Sequence, residues 1–158
     1  TLAVGAALAA LHRIGVVHVD LNPMNILYRS DWGNPLIRIV DFESAYEVAR
    51  HGSGASYNPP TTPGFSAPEV SNQPPDSRAD VFSLGAVLYT MIAGYDWTFG
   101  AEISACITND REMDSDLRDI LLAAVDRTPA RRHQSIEIMC AALDQYLESI
   151  WPARSSSR

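Results

Sequence analysis

A chain of 158 residues that is 46% hydrophobic and 20% charged has the composition of one soluble globular domain with a core of its own. Its 19 acidic and 12 basic side chains give a formal charge of −7 with no basic cluster, which excludes nucleic acid as the expected partner. The most apolar run, "LGAVLYTMIA" at 84–93, falls short of the roughly 18–20 residues that span a bilayer, so no membrane partner is expected either.

In chain order, Leu2, Leu8 and Leu11 among alanines predict a helix over 2–12 that stops near Gly15. The same stretch lacks the basic leader and cleavage site of a signal peptide. The chain starts inside this helical pattern with no cap before it, so it is expected to be a piece of something longer. "IGVVHV" then changes to strand or loop character. Two β-type runs follow, "NILY" at 25–28 and "LIRIVDF" at 36–42, with Asp31, Gly33, Asn34 and Pro35 expected to form a hairpin turn. Residues 43–79, with six prolines and no sustained period, read as one long loop.

From Asp80 to Ala93 the sequence is almost wholly apolar and predicts a buried helix, with Asp80 a candidate N-cap. Further helices are expected over 115–126, capped by Ser115 or Asp116, and over 135–149, capped by Ser135. The tail, 151–158, is expected to be disordered. Cys106 and Cys140 are far apart in helix-like segments, which fits reduced thiols in an intracellular, cytoplasmic setting.

The chemistry-bearing strings are "HVDLNPMN" at 18–25, "DFE" at 41–43, "TPGFSAPE" at 62–69, "DVFSLG" at 80–85 and "RTPARRH" at 127–133. Any one of them is weak, because Asp and Asn are common in turns for their local hydrogen bonding. Together, in this order and spacing over about residues 2–150, the chain resembles the C-terminal lobe of the eukaryotic-type protein kinase family, of the Ser/Thr-like kind. The resemblance implies an α+β kinase-like fold: a mostly α-helical C-lobe with a small β-hairpin. Residues 1–150 would be that C-lobe portion, truncated at its N-terminus.

By this resemblance, Asp20 is the catalytic base or hydroxyl orienter and Asn25 and Asp41 are Mg²⁺ ligands, while Leu27 lies under the adenine of ATP. Thr62 belongs to the substrate loop and contacts Asp20. His18 and Phe42 are implied to be packing residues, Glu69 and Arg132 an ion pair, and Asp80 an acceptor for the catalytic-loop backbone. A protein substrate is the implied partner, together with the N-lobe of the same parent chain. The family's Gly-rich loop, strand Lys, helix Glu and adenine hinge are not found in these residues, so the isolated chain is expected to be inactive and partly apolar on the face toward that lobe.

Three positions depart from the family pattern. Val19 stands where many kinases carry Arg, so Ser53, Ser56, Tyr57 and Thr61 are not expected to be required activating phosphosites. Asn22 replaces a Lys that contacts phosphate, and Glu43 replaces a flexible Gly. Two alternatives stay open on these residues: a non-catalytic pseudokinase or binding module, and a small-molecule phosphotransferase of the aminoglycoside or choline type.

Overall fold

The computed structural model describes residues 2–31, 34–51, 57, 59–94 and 102–152. Helix α1, Leu2–Arg13, buries Val4, Gly5, Leu8 and Ala9 along one face and ends with His12 and Arg13, the Arg13 cation suiting the negative end of the helix dipole. Strand β1, Val16–Val17, leads into the polar loop 18–22 and a 3₁₀ turn, Pro23–Asn25, whose start is capped by Asn22. Strands β2, Ile26–Asp31, and β3, Asn34–Ile39, form an antiparallel hairpin in register from Ile26↔Ile39 to Asp31↔Asn34. Strand β4, Tyr46–Glu47, pairs antiparallel with β1 and runs into α2, Val48–His51.

A second 3₁₀ turn, Pro68–Ser71, precedes the long helix α3, Arg78–Ala93. Helices α4, Ile103–Asn109, and α5, Ser115–Ala124, follow; a third 3₁₀ turn, Pro129–Arg131, then leads to α6, Ile136–Ile150. This is the mostly helical architecture with one small hairpin that the sequence predicts. Helix α3 is apolar all round because it is packed all round from Ala79 to Val87; Met91 and Ile92 in its last turn are exposed. One cluster joins its Val81 and Leu84 to Val4 and Leu8 of α1, Ala124 of α5 and Met139 of α6. The other joins Phe82, Ala86 and Val87 to Val17, Val19, Phe65, Ile107 and Leu121.

Several local expectations need correction. Asp31, Asn34 and Pro35 are paired strand residues rather than turn residues, because the ladder runs further than the apolar residues do. At the other end β3 stops at Ile39, and Asn25 belongs to the 3₁₀ turn. The region 43–79 contains β4, α2 and a 3₁₀ turn, elements too short to impose a period. Helix α5 is capped by Asp114, whose carboxylate accepts from Asp116 N at 2.9 Å and Leu117 N at 3.3 Å, while Ser135 does cap α6. Helix α4 carried no clear signal, since "ISACITN" is poor in strong helix formers; it is held by burial of Ile103 and Ile107, one turn apart. Gly33, Ser53, Ser56 and residues 153–158 lie outside the described residues.

One buried ion pair ties the segment before α3 to the segment before α6. Arg132 donates from Nη1 and Nη2 to the two carboxylate oxygens of Glu69, both at 2.7 Å. Its remaining donors reach Asp126 O at 2.7 Å and Arg78 O at 2.9 Å, and its guanidinium lies 5.0 Å from the centre of the Phe82 ring. A bidentate fork with two further N–H groups hydrogen-bonded is the geometry in which a buried pair offsets its desolvation.

Two predictions follow from this packing. A Cβ at Gly85 would stand 2.7 Å from Ala124 Cβ, which is fixed to the α5 backbone and has no rotamer to escape into. Gly85→Ala is therefore expected to cost about 1–3 kcal/mol in urea unfolding, the range of an overpacked core. A Cβ at Gly5 would meet Cys140 Sγ, which can rotate, so Gly5→Ala should cost less. Arg132→Ala, which strands Glu69, is expected to destabilise the fold by about 3–5 kcal/mol, with Arg132→Lys recovering only part because it lacks the fork.

Candidate active site

The loop 18–25 is built on the Asp80 side chain, fully buried in the first turn of α3. Asp80 Oδ2 accepts the His18 backbone N–H at 2.8 Å and Oδ1 accepts that of Val19 at 2.8 Å. His12, from the last turn of α1, donates its Nε2–H to Oδ2 at 2.8 Å. Asp80 is thus not the N-cap; Ser77 holds that position without a side-chain bond, and the carboxylate is spent on the loop. These bonds hold Val19 at φ 72°, a left-handed conformation that costs a β-branched residue about 1–2 kcal/mol.

The twist at Val19 sends consecutive side chains to different places. Val19 is buried with Val17, Tyr46 and Phe65 in the core beside α3. Asp20, next in sequence, turns to the loop 60–66. Its Oδ1 accepts Thr62 N–H at 2.9 Å and the Ser66 hydroxyl at 3.1 Å. The Asn22 amide donates to Asp20 O and to Thr62 Oγ1, each at 3.1 Å, and lies 3.4 Å from Asp20 Oδ2. Asn25 donates its amide to Asp20 O at 2.9 Å, which commits its NH₂ end to the loop and leaves its side-chain oxygen as the atom able to ligate.

Asp41 is reached through the backbone. Val40 N–H donates to Asn25 O at 3.0 Å, and His18 Nε2–H donates to Val40 O at 3.1 Å, so the residue before Asp41 is fixed to both ends of the loop. His18 also meets the Phe42 ring edge-on at 5.0 Å. Asp41 itself has φ 64° and its carboxylate is exposed. Glu43, by contrast, is not among the residues with positive φ, so a side chain there meets no backbone strain; its N–H faces Asp41 Oδ1 at 3.4 Å.

Among the described residues no group of three or more His, Cys, Asp or Glu side chains converges on a common point. One exposed carboxylate and one amide oxygen nonetheless fit Mg²⁺, which takes one or two protein ligands and completes its shell with water and phosphate oxygens. Leu27 on β2 is 52% exposed, Phe42 is 44% exposed, and Met24, Tyr28 and Leu36 are also exposed, with Leu27 and Tyr28 on opposite faces of the hairpin, so apolar side chains beside the loop are left uncovered. An apolar cavity of about 450 Å³ lies elsewhere, lined by Leu2, Leu88, Ile92, Leu117, Leu143 and Leu147 among others, and shares no residue with the loop.

Besides the bonds of Thr62 and Ser66 to Asp20, the segment between β3 and the Pro68–Ser71 turn carries neutral bonds. Ser44 Oγ donates to Pro60 O at 3.2 Å and the Tyr57 hydroxyl donates to Ser44 O. Burial, with the Asp80 carboxylate, Tyr46 and the Asp20 carboxylate adding to it, pushes the Tyr57 phenol well above its usual range and keeps it a donor. Two members of the site, His12 and Ser66, carry no signal of their role in the sequence. His12 reads as the end of a helix, and Ser66 as a small residue between aromatic Phe65 and Ala67; only the fold brings either to a carboxylate.

Comparison with known proteins gives this arrangement a family. Ribosomal protein S6 kinase alpha-2 of Homo sapiens is 49% identical over 87 residues, which is 54% of this chain and 12% of that protein. Ribosomal protein S6 kinase alpha-6 of Danio rerio is 52% identical over 87 residues, again 54% of this chain and 12% of the relative. Ribosomal protein S6 kinase alpha-1 of Homo sapiens is 47% identical over 94 residues, 58% of this chain and 13% of its own length. The chain therefore matches only 12–13% of the length of these relatives. The description "Protein kinase domain" matches residues 1–151, and over that range the chain belongs to the protein kinase domain family.

Proposed function

We propose that this chain is the C-terminal lobe of a longer protein kinase. In that parent it supplies the acceptor-orienting and metal-holding half of ATP- and Mg²⁺-dependent phosphoryl transfer to Ser or Thr hydroxyls of protein substrates. The observation that carries this reading is the convergence on Asp20 of Thr62 and Ser66, 42 and 46 residues further along the chain. A carboxylate held by groups so distant in sequence is positioned, and positioning is what phosphoryl transfer asks of a protein.

In this reading Asp20 accepts a hydrogen bond from the substrate hydroxyl and takes its proton as the hydroxyl oxygen bonds the γ-phosphorus of ATP and the bond from that phosphorus to the departing ADP oxygen breaks. Asn25 and Asp41 hold Mg²⁺, which when bound neutralises charge on the phosphates. Leu27 and the neighbouring bare apolar side chains form the floor of the nucleotide site and the seat of the N-terminal lobe. That surface supports the two-lobe reading, because an exposed apolar patch beside a catalytic loop calls for a cover. The S6 kinase relatives support a protein as the acceptor. Free thiols at Cys106 and Cys140 support an intracellular, cytoplasmic setting, and among the described residues no helix is long and apolar enough to cross a membrane.

A second reading, a non-catalytic kinase-like binding module, is favoured by one observation. The loop 18–25 contains no Lys or Arg, so no cation of the loop itself faces phosphate. Two measurements separate the readings. The isolated chain is expected to show no ATP-dependent transfer and, by calorimetry, no nanomolar-to-micromolar binding of Mg-ATP; such binding would overturn the two-lobe reading. In the intact parent, Asp20→Asn is expected to lower kcat by about 10²–10⁴-fold. Undetectable transfer in the wild-type parent would instead favour the binding module.

A further inference from the structure

We propose that Ser66 is a positioning residue for the Asp20 carboxylate, a neutral hydroxyl that holds one carboxylate oxygen so that the other faces the acceptor. The inference rests on the reading of Asp20 as the acceptor-orienting group. It starts from a closed triangle: Thr62 N–H lies 2.9 Å from both Asp20 Oδ1 and Ser66 Oγ, and Ser66 Oγ lies 3.1 Å from Asp20 Oδ1. A carboxylate oxygen accepts and a backbone N–H donates, so the hydroxyl must receive from Thr62 and donate its single proton to Asp20. Its direction is set by its neighbours.

The backbone under Ser66 is fixed. Its N–H donates to Thr62 O at 3.0 Å, and the side chains on either side, Phe65 and Ala67, are buried in the core. Ser66 therefore stands on a tight turn anchored on both flanks. Among the described residues, Oδ1 has two donors within 3.1 Å, whereas Oδ2 has only the Asn22 amide at 3.4 Å. Hydrogen bonds weaken quickly at that length, so Oδ2 is the oxygen left free for an incoming hydroxyl.

Asn22 cannot do this work alone. Its two amide protons are spread over three acceptors, Asp20 O, Asp20 Oδ2 and Thr62 Oγ1. It is also uncharged, and neutral donors bind a carboxylate less firmly than a cation does. The second firm donor on Oδ1 is the Ser66 hydroxyl. Removing it leaves the Thr62 N–H on Oδ1 and the long Asn22 contact on Oδ2, too little to keep the carboxylate in one rotamer.

The test has a structural arm and a kinetic arm. In the isolated chain, Asp20 Hα–Hβ couplings report its χ1 rotamer: one rotamer is expected in the wild type and in Ser66→Thr, and averaged couplings in Ser66→Ala, with matching thermal melts showing that both variants fold. In the intact parent, Ser66→Ala is expected to lower kcat about tenfold at unchanged peptide and ATP KM, the loss of one hydrogen bond to a charged group, with Ser66→Thr restoring it. An unchanged Asp20 rotamer in Ser66→Ala overturns the proposal. So does a raised peptide KM at unchanged kcat, which would make Ser66 a substrate contact, or phosphate found on Ser66, which would make it an acceptor. Full activity of Asp20→Asn would instead overturn the catalytic reading and leave the rotamer result standing, so the two failures are distinguishable.

Discussion

Asp80 sits with its carboxylate fully buried between the end of α1 and the loop that follows β1, and both oxygens are occupied by donors from those two elements. A buried carboxylate without such partners would cost several kcal/mol, so the three bonds at 2.8 Å are a condition of its being there at all. What they hold in place is strain. Val19 has no intrinsic reason to adopt φ 72°, and it stays there because its N–H is pulled to Asp80 while its side chain is packed beside α3. From that twist follow the direction of Asp20 and hence the alignment of the whole loop with residues 60–66.

The second layer of the site is a set of neutral donors. Thr62 N–H, the Ser66 hydroxyl and the Asn22 and Asn25 amides surround Asp20, and none of them carries charge. Such a shell orients a carboxylate through geometry rather than through long-range attraction, and each bond in it depends on the backbone turn that presents it. The nearby loop follows the same pattern, with Ser44, Pro60 and Tyr57 joined by neutral bonds and Tyr57 meeting Tyr46 edge-on at 5.0 Å. At the position where many kinases place a cation, Val19 is in the core and contributes apolar packing instead.

Glu43 shows how a departure from pattern can be harmless locally. A Gly at that point of the family motif suggests a need for unusual backbone angles, yet among the described residues other than glycine the positive φ values fall at Val19 and Asp41. Asp41 can take the left-handed region at modest cost because a short polar side chain bonds its own backbone, as the contact from Glu43 N–H does. The extra carboxylate of Glu43 is exposed, so its charge acts through solvent.

The helices α1, α3, α5 and α6 and the hairpin were legible in the sequence because each carries its own signal. Alanine and leucine spacing, an unbroken apolar run, capping residues and alternating strands are local properties of the chain. The five motif strings were legible too, as residue types in order. The motif resemblance carried the contacts between motif residues, Asp80 to the loop backbone and Glu69 to Arg132; what the sequence could not supply was contact made by residues outside those roles, His12 to Asp80 over 68 residues and Ser66 to Asp20 over 46. Helix α4 and the short elements of 43–79 belong with these, since they are too brief to have a period and exist because the core accepts Ile103, Ile107 and Tyr46. The sequence by itself determined which groups are present and where the helices α1, α3, α5 and α6 and the hairpin run. The tertiary structure alone decided which oxygen of which carboxylate each donor reaches, because hydrogen-bond direction depends on backbone angles that only the packed chain imposes.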